Sequence, residues 1–352
     1  MKRNHTDYYM YQEIHQQAQN VRDLLVENQD KFDEIAKLVK ERAIEEILLI
    51  GRGSSEHACL IAKYLGEIHT TLRISLALPS IITAYKGKVN YSNLLCIAVS
   101  QSGGAEDVAE VLAYCKDQGA ITVTLTNVVG SMLSTKGQIN LNNHCGVEYG
   151  VTATKSFTTQ VVNLVAIIAH VTNNTYLLNT LQEIGPSIEY AYTLEQQIQK
   201  FVPVFSQSDH MMIIARGIHF AMGQEIELKI QETCTMDARC YASSDYWHGP
   251  IVVANKLKYP ALFYIADQDT NYCPMKLLDK MFVNEKEKVL VLTNDSELAS
   301  NYPSIYIEDR FDAMQSMFIN LVLSQYLAFF CSVARGYNPD APDGVTKNTV
   351  TL

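Results

Sequence analysis

Short apolar runs alternate with amphipathic stretches along nearly the whole chain. Residues 47–50 and 94–99 are unbroken apolar runs closed at once by glycine or serine, 121–127 is rich in Ile, Val and Thr, and 74–79 has the same strand-like character. Runs this short, with turn residues at their ends, predict buried strands of a parallel sheet. Between and after them, residues 57–68, 106–114 and 157–171 place apolar side chains at helical spacing. Ahead of the first strand, Met10, Ile14, Val21, Leu24 and Leu25 and then Phe32, Ile35, Leu38 and Val39 predict a leading arm and a first helix over residues 8–42. Strands alternating with helices imply an α/β fold, its parallel sheet covered on both faces.

The pattern then occurs a second time. Residues 211–217 echo 48–53 and keep the Arg-Gly pair at the strand's end, 263–269 echo 96–102, and 289–294 echo 123–127 down to the final Thr-Asn. The offset is 294 − 127 = 167 at one strand end and 268 − 101 = 167 at another. A shared offset at two separate places implies a tandem duplication, with a linker near residues 173–195. The expected division is a helical arm over 1–30, a first domain over 31–175, a second over 195–335 and a tail over 336–352.

Charge and composition narrow the function. A net charge of −10 argues against nucleic acid or an anionic membrane as partner, so an anionic substrate must be held by local dipoles and a few cations. Residues 1–5 lead into polar and aromatic positions rather than the apolar core of a signal peptide, and the nearest approach to a spanning segment is 161–171. The eight cysteines form no C-x-x-C pair, and Cys59, Cys96 and Cys331 sit in apolar segments, which predicts buried free thiols in a reducing cytoplasm.

Chemistry gathers at a few points. Ser100-Gln101-Ser102-Gly103-Gly104 follows a buried strand and opens a helix, so hydroxyls, exposed main chain and a helix N-terminus share one small space. That combination suits a phosphate, although an ordinary βα turn with capping serines has the same letters. In the second copy Asp267 and Asp269 replace the serines, and two carboxylates there repel phosphate, so only the first copy is expected to bind an anion. Glu225, Lys229 and Glu232, spaced by four and three, share one helical face. Spacing by itself favours a solvated face of paired charges; the alternative is a carboxylate base with a lysine beside it. His248 stands before Gly249-Pro250 and after the only tryptophan, on a turn that such residues make rigid. The tail carries Lys347, either as part of a frayed end or as a group delivered to a site. No metal-ligand cluster is evident, and no cofactor is expected.

Taken together, residues 10–17, Gly53-Ser54-Ser55, Ser100 to Gly103, the run 148–160 (EYGVTATKSFTTQ), residues 228–232, His248-Gly249-Pro250 and Thr346-Lys347 resemble the sugar isomerase (SIS) domain proteins, over nearly the whole chain. The similarity is to the isomerase half of glutamine:fructose-6-phosphate amidotransferase and to its free-standing relatives, the SIS-type glucosamine-6-phosphate deaminases and fructosamine-6-phosphate deglycases. The resemblance implies two tandem doubly wound, flavodoxin-like domains with a leading helical arm and an extended tail. It implies that Ser55, Ser100, Gln101 and Ser102 hold a sugar phosphate while Ser54 and Val151 line the site. Glu232 would move a proton between C1 and C2 of the open-chain sugar, and Lys229 would support the charge on the intermediate. His248, given by the other subunit of a homodimer, would open the ring, and Lys347 would close over the site, forming an imine or assisting ring opening. A carboxylate at the carbon and a cation at the oxygen are what proton abstraction beside a carbonyl needs.

Two departures stand out. Ala105 occupies a position where the family usually has Ser or Thr, which removes one hydroxyl contact. The glutaminase half has no room ahead of residue 10, so glutamine-dependent synthesis is not expected of this chain. The expected activity is aldose–ketose isomerisation with loss of the amine from an amino- or amine-substituted hexose 6-phosphate. The alternatives are deglycation of a fructosamine 6-phosphate and a catalytically silent sugar-phosphate sensor. Retention of Glu232, His248 and Lys347 together argues against the sensor.

Overall fold

The computed structural model describes residues 3–254 and 259–347, and among them ten strands form two five-stranded, wholly parallel sheets. The amino-terminal sheet contains β1 (Glu46–Ile50), β2 (Arg73–Leu76), β3 (Leu95–Ser100), β4 (Ile121–Thr126) and β5 (Ile139–Asn142), in the order β2-β1-β3-β4-β5. The carboxy-terminal sheet contains β6 (His210–Ala215), β7 (Asp237–Ala242), β8 (Ala261–Ile265), β9 (Val289–Thr293) and β10 (Ser304–Tyr306). Its order, β7-β6-β8-β9-β10, is the same one repeated. This is the doubly wound, flavodoxin-like order, in which the connections reverse direction beside the first strand. The duplication reaches the backbone angles: Gly53 (φ 54°, ψ −128°) and Gly217 (φ 61°, ψ −135°) cap equivalent helices in a conformation that residues with a Cβ rarely adopt.

The chain divides into two compact units. The amino-terminal unit holds residues 16–148, 153–185 and the tail residues Thr346 and Lys347. Its central strands β3 and β4 are buried along their whole length, which explains their unbroken apolar or β-branched sequence. One layer of the core packs Leu48, Ile50, Cys96 and Ala98 against Val108, Val111 and Leu112 of the helix Glu106–Asp117. The helix Lys155–Thr172, buried over its first fifteen residues, belongs to this unit as well. The stretch 173–195, read from sequence as a linker, is largely the helix Thr175–Thr193, which continues through Pro186.

The carboxy-terminal unit holds residues 3–15, 149–152 and the described part of 186–345. The leading arm therefore breaks earlier than its periodicity suggests, into the short helix Tyr9–Ile14 of this unit and the helices Gln17–Glu27 and Gln29–Glu41 of the other. Tyr8 and Tyr11 pack on Phe329, with ring centroids 5.5 and 5.3 Å apart. Phe329 lies on the 22-residue helix Ala313–Ala334, which contains an 18-residue stretch of mean hydropathy 1.7 and is long and apolar enough to cross a membrane, which corrects the expectation that 161–171 comes nearest to doing so. In this fold 89% of that stretch is buried, and a helix apolar all round suits the interior of a soluble unit equally well. It packs on the helix Ile218–Cys234, where Ser332 donates to the Thr233 carbonyl at 2.7 Å and Cys234 to that of Ala328 at 3.3 Å.

His219 lies in the same interior, 3.1 Å from the Asn320 amide, and burial pushes its imidazole down to about 3. The unfolded chain then takes up a proton that the folded chain refuses, so this stabilisation is complete above about pH 6.5 and erodes as the pH falls toward 3, by about 1.4 kcal/mol per pH unit. The urea midpoint is expected to fall between pH 7 and 5, and less steeply in His219→Gln; equal slopes would show that this imidazole is not the cause.

Candidate functional site

In a doubly wound sheet, ligands gather outside the carboxyl ends of the strands, where the order reverses. In the amino-terminal unit those ends are β1, followed by Ser54 and Ser55, and β3, followed by the serine loop. Ser54 and Ser55 open the helix Ser54–His69, and Ser55 is buried. Ser100 is buried too, and its Oγ accepts the Gly103 N–H at 3.1 Å, while the Ser102 Oγ accepts that of Gly104 at 3.3 Å. The Gln101 and Gly103 carbonyls take the Asn127 and Leu133 amides, at 3.0 and 2.9 Å, so the loop is pinned from below. Ala105 is the N-cap of the next helix and supplies no side-chain cap, which leaves the helix opening to other partners. A cation not singled out from sequence also stands here. Arg52 Nε lies 2.7 Å from an Asp107 oxygen and ties the end of β1 to the first turn of that helix.

The second copy is built differently at the equivalent loop. The Asp267 carboxylate accepts the Asp269 amide at 3.2 Å and the Thr270 hydroxyl at 3.1 Å. The loop's donors are thus turned onto a carboxylate of its own. The open cleft there, about 370 Å³, is lined by Asp267, Asp269, Asp309 and Asp312 with Arg310. Within the loop itself, the first copy thus carries the hydroxyls of Ser100 and Ser102 where the second carries the carboxylates of Asp267 and Asp269.

Glu225, Lys229 and Glu232 do not form a solvated face. Lys229 Nζ lies 2.7 Å from Glu232 and 3.3 Å from Glu225, and the Lys229 and Glu225 side chains are each only 1% exposed, whereas Glu232 is 20% exposed. Burial works against the ammonium, but the two carboxylates outweigh it and raise its proton affinity above that of a free lysine. A fixed positive charge therefore stands beside a carboxylate that solvent can reach.

His248 lies exposed just beyond the helix Ser243–Tyr246, its amide bonded to the Asp245 carbonyl at 3.0 Å. Beside it, Trp247 packs on the unit's core and carries the Lys280 ammonium 4.7 Å above its ring. Val151 lies in the 149–152 loop and donates its N–H to the Asp340 carbonyl at 3.0 Å.

Lys347 sits 2.7 Å from Glu148. That carboxylate is fully buried and also accepts the Thr154 and Ser156 amides at 3.0 Å and the Ser156 hydroxyl at 2.7 Å. Burial alone lifts its proton affinity, but the Lys347 ammonium and the Ser156 and Thr154 donors hold it below the ordinary carboxylate range. Glu148 went unremarked as a site residue because nothing local signals a partner 199 positions away. Among the described residues no group of three or more His, Cys, Asp or Glu side chains could hold a metal ion. The eight cysteines are free thiols; Cys240 and Cys273 are half-buried and the others buried.

Residues 42–170, which contain the whole amino-terminal sheet and its serine loop, match the SIS domain family. The chain carries a SIS domain. It is 28% identical over 86% of its length to glutamine–fructose-6-phosphate aminotransferase [isomerizing] 1 of Rattus norvegicus, of which the match covers 45%. It spans about half the length of the curated relatives it matches. In structure, the C-terminal domain of glucosamine-fructose-6-phosphate aminotransferase from Francisella tularensis is similar with a TM-score of 0.82, at 23% identity over 95% of this chain and 98% of that one. A proposed phosphosugar isomerase from Silicibacter pomeroyi gives 0.84, at 23% identity over 95% of this chain and all of the other. The structural likenesses speak to the fold alone, and they extend over both sheets.

Proposed function

We propose that this protein is a phosphosugar isomerase that acts on an amino- or amine-substituted hexose 6-phosphate, coupling aldose–ketose isomerisation to release of the amine. Support comes first from the helix Ile218–Cys234, where Glu225 and Lys229 are sealed and Glu232 alone of the three is open to solvent. Such an arrangement suits a base that must reach a substrate carbon while its own charge is steadied from behind. The name of the rat relative, an isomerising fructose-6-phosphate aminotransferase, agrees with that substrate class.

In this reading Ser55, Ser100, Gln101 and Ser102 hold the phosphate, and Ser54 and Val151 line the sugar. Glu232 carries the proton between C2 and C1, and Lys229, behind that carboxylate, supports the charge on the enediol-type intermediate through its buried positive charge. His248, from the second subunit of a homodimer, opens the ring, and Lys347 covers the substrate. Water then displaces ammonia from the amine-bearing carbon, leaving a ketose phosphate. Free thiols throughout the chain fit work in a reducing cytoplasm. Residues 31–175 and 195–335 form the phosphate-binding and proton-shuttling domains.

The test is ammonia and amino acid release, assayed across glucosamine 6-phosphate and fructosamine 6-phosphates. Ammonia from glucosamine 6-phosphate supports the proposal. Amino acid release alone would transfer the same machinery to deglycation, and binding without turnover would make the protein a sensor. In the active protein, Ser102→Ala is expected to raise KM about 10- to 100-fold with little change in kcat, since a hydrogen bond to a charged group contributes about 1.5–3 kcal/mol. A fall in kcat at unchanged KM would remove Ser102 from the phosphate.

A further inference from the structure

We propose that Glu13, on the leading arm, is a positioning residue that clamps the Tyr149–Thr152 loop and so sets the place of Val151; this rests on the proposed role of Val151 at the sugar site. The side chain is 2% exposed, and its carboxylate accepts the Tyr149 amide and, at 3.3–3.4 Å, the Gly150 amide. Two successive main-chain N–H groups facing one carboxylate form an anion nest, filled here by the protein itself. The next amide, that of Val151, donates to the Asp340 carbonyl at 3.0 Å. The Asp340 carboxylate in turn accepts the Met10 amide at 2.8 Å, so arm and loop are fastened to one another and to the tail. Tyr9 adds a stacked contact to Tyr149, with centroids 5.0 Å apart.

Residue 150 is glycine for the same reason. A Cβ there would meet Glu13 Oε2 at 2.9 Å, and the atom that would have to give way is the clamp. Two substitutions far apart in sequence thus disturb one contact. Glu13→Gln keeps an oxygen acceptor for both amides; Glu13→Ala keeps none.

Steady-state kinetics and hydrogen exchange in a peptide covering residues 148–153 test this in the full-length protein. Glu13→Ala and Gly150→Ala are each expected to raise KM for the sugar phosphate about tenfold with kcat within about twofold, and to speed exchange in that peptide. Glu13→Gln should stay close to wild type. Tyr11→Phe, which removes a hydrogen bond from the same arm to Glu195, is expected to leave KM and loop exchange unchanged. If Glu13→Ala does not fold, Gly150→Ala carries the test. Unchanged exchange and KM in Gly150→Ala, or an equal KM rise in Tyr11→Phe, would overturn the proposal. Wild-type protein inactive on every sugar phosphate would instead defeat the functional reading, and exchange alone would then decide whether the clamp exists.

Discussion

Glu232→Gln is expected to lower kcat by about two to four orders of magnitude while leaving sugar-phosphate affinity nearly intact, because a positioned general base contributes that much to a proton transfer. The substitution is nearly isosteric. Its amide oxygen can still accept from the Lys229 ammonium, which now lies 2.7 Å from the carboxylate, so the buried charges keep their arrangement. What disappears is the capacity to take a proton from carbon. The phosphate contacts are assigned to the other sheet's loop and are untouched, so affinity measured by calorimetry should change by about twofold or less. Unchanged turnover would remove Glu232 from its role, and a parallel loss of binding would show that the residue holds substrate rather than deprotonating it.

Lys229→Met is expected to destabilise the folded chain by about 3–5 kcal/mol, the usual cost of removing one partner from a buried ion pair. Glu225 is as deeply buried as the lysine and would lose its cation. Glu232, one-fifth exposed, can recover solvation from water, so the loss centres on Glu225. The double variant Glu225→Leu/Lys229→Met should regain much of the stability, since an apolar pair of similar size fills the same space without buried charge. It should regain no turnover. Urea unfolding of the two variants checks this; if the single variant lost no more than a surface substitution does, about 0.5 kcal/mol, the lysine would not hold the interior together.

The central strands were legible because burial on both faces demands unbroken apolar sequence. The edges were not. β5, β7 and β10 were missed because each is only partly buried and carries polar residues, as in Ile139–Asn142 and Asp237–Ala242. Ala313–Ala334 escaped notice for the opposite reason: with nearly every position buried it has no amphipathic signal to detect. At the site, the serine loop and the Asp267–Asp269 contrast were readable locally, because main chain and side chain lie within one turn. Spacing put Glu225, Lys229 and Glu232 on one face but could not say what packs over that face, so spacing by itself favoured a solvated face where the side chains of Glu225 and Lys229 are in fact buried. Glu148 with Lys347, and Glu13 with Gly150, pair residues distant in sequence, and no local periodicity encodes such pairs.

Deuterium uptake at C1 and C2 of a hexose 6-phosphate in D2O is the most direct test of the claim that the chain holds a phosphate ester and shuttles a proton through Glu232. Uptake with the wild-type protein is expected, with none above background for Glu232→Gln and none for the unphosphorylated hexose. Undiminished uptake in Glu232→Gln, or no uptake with the wild-type protein, would contradict it.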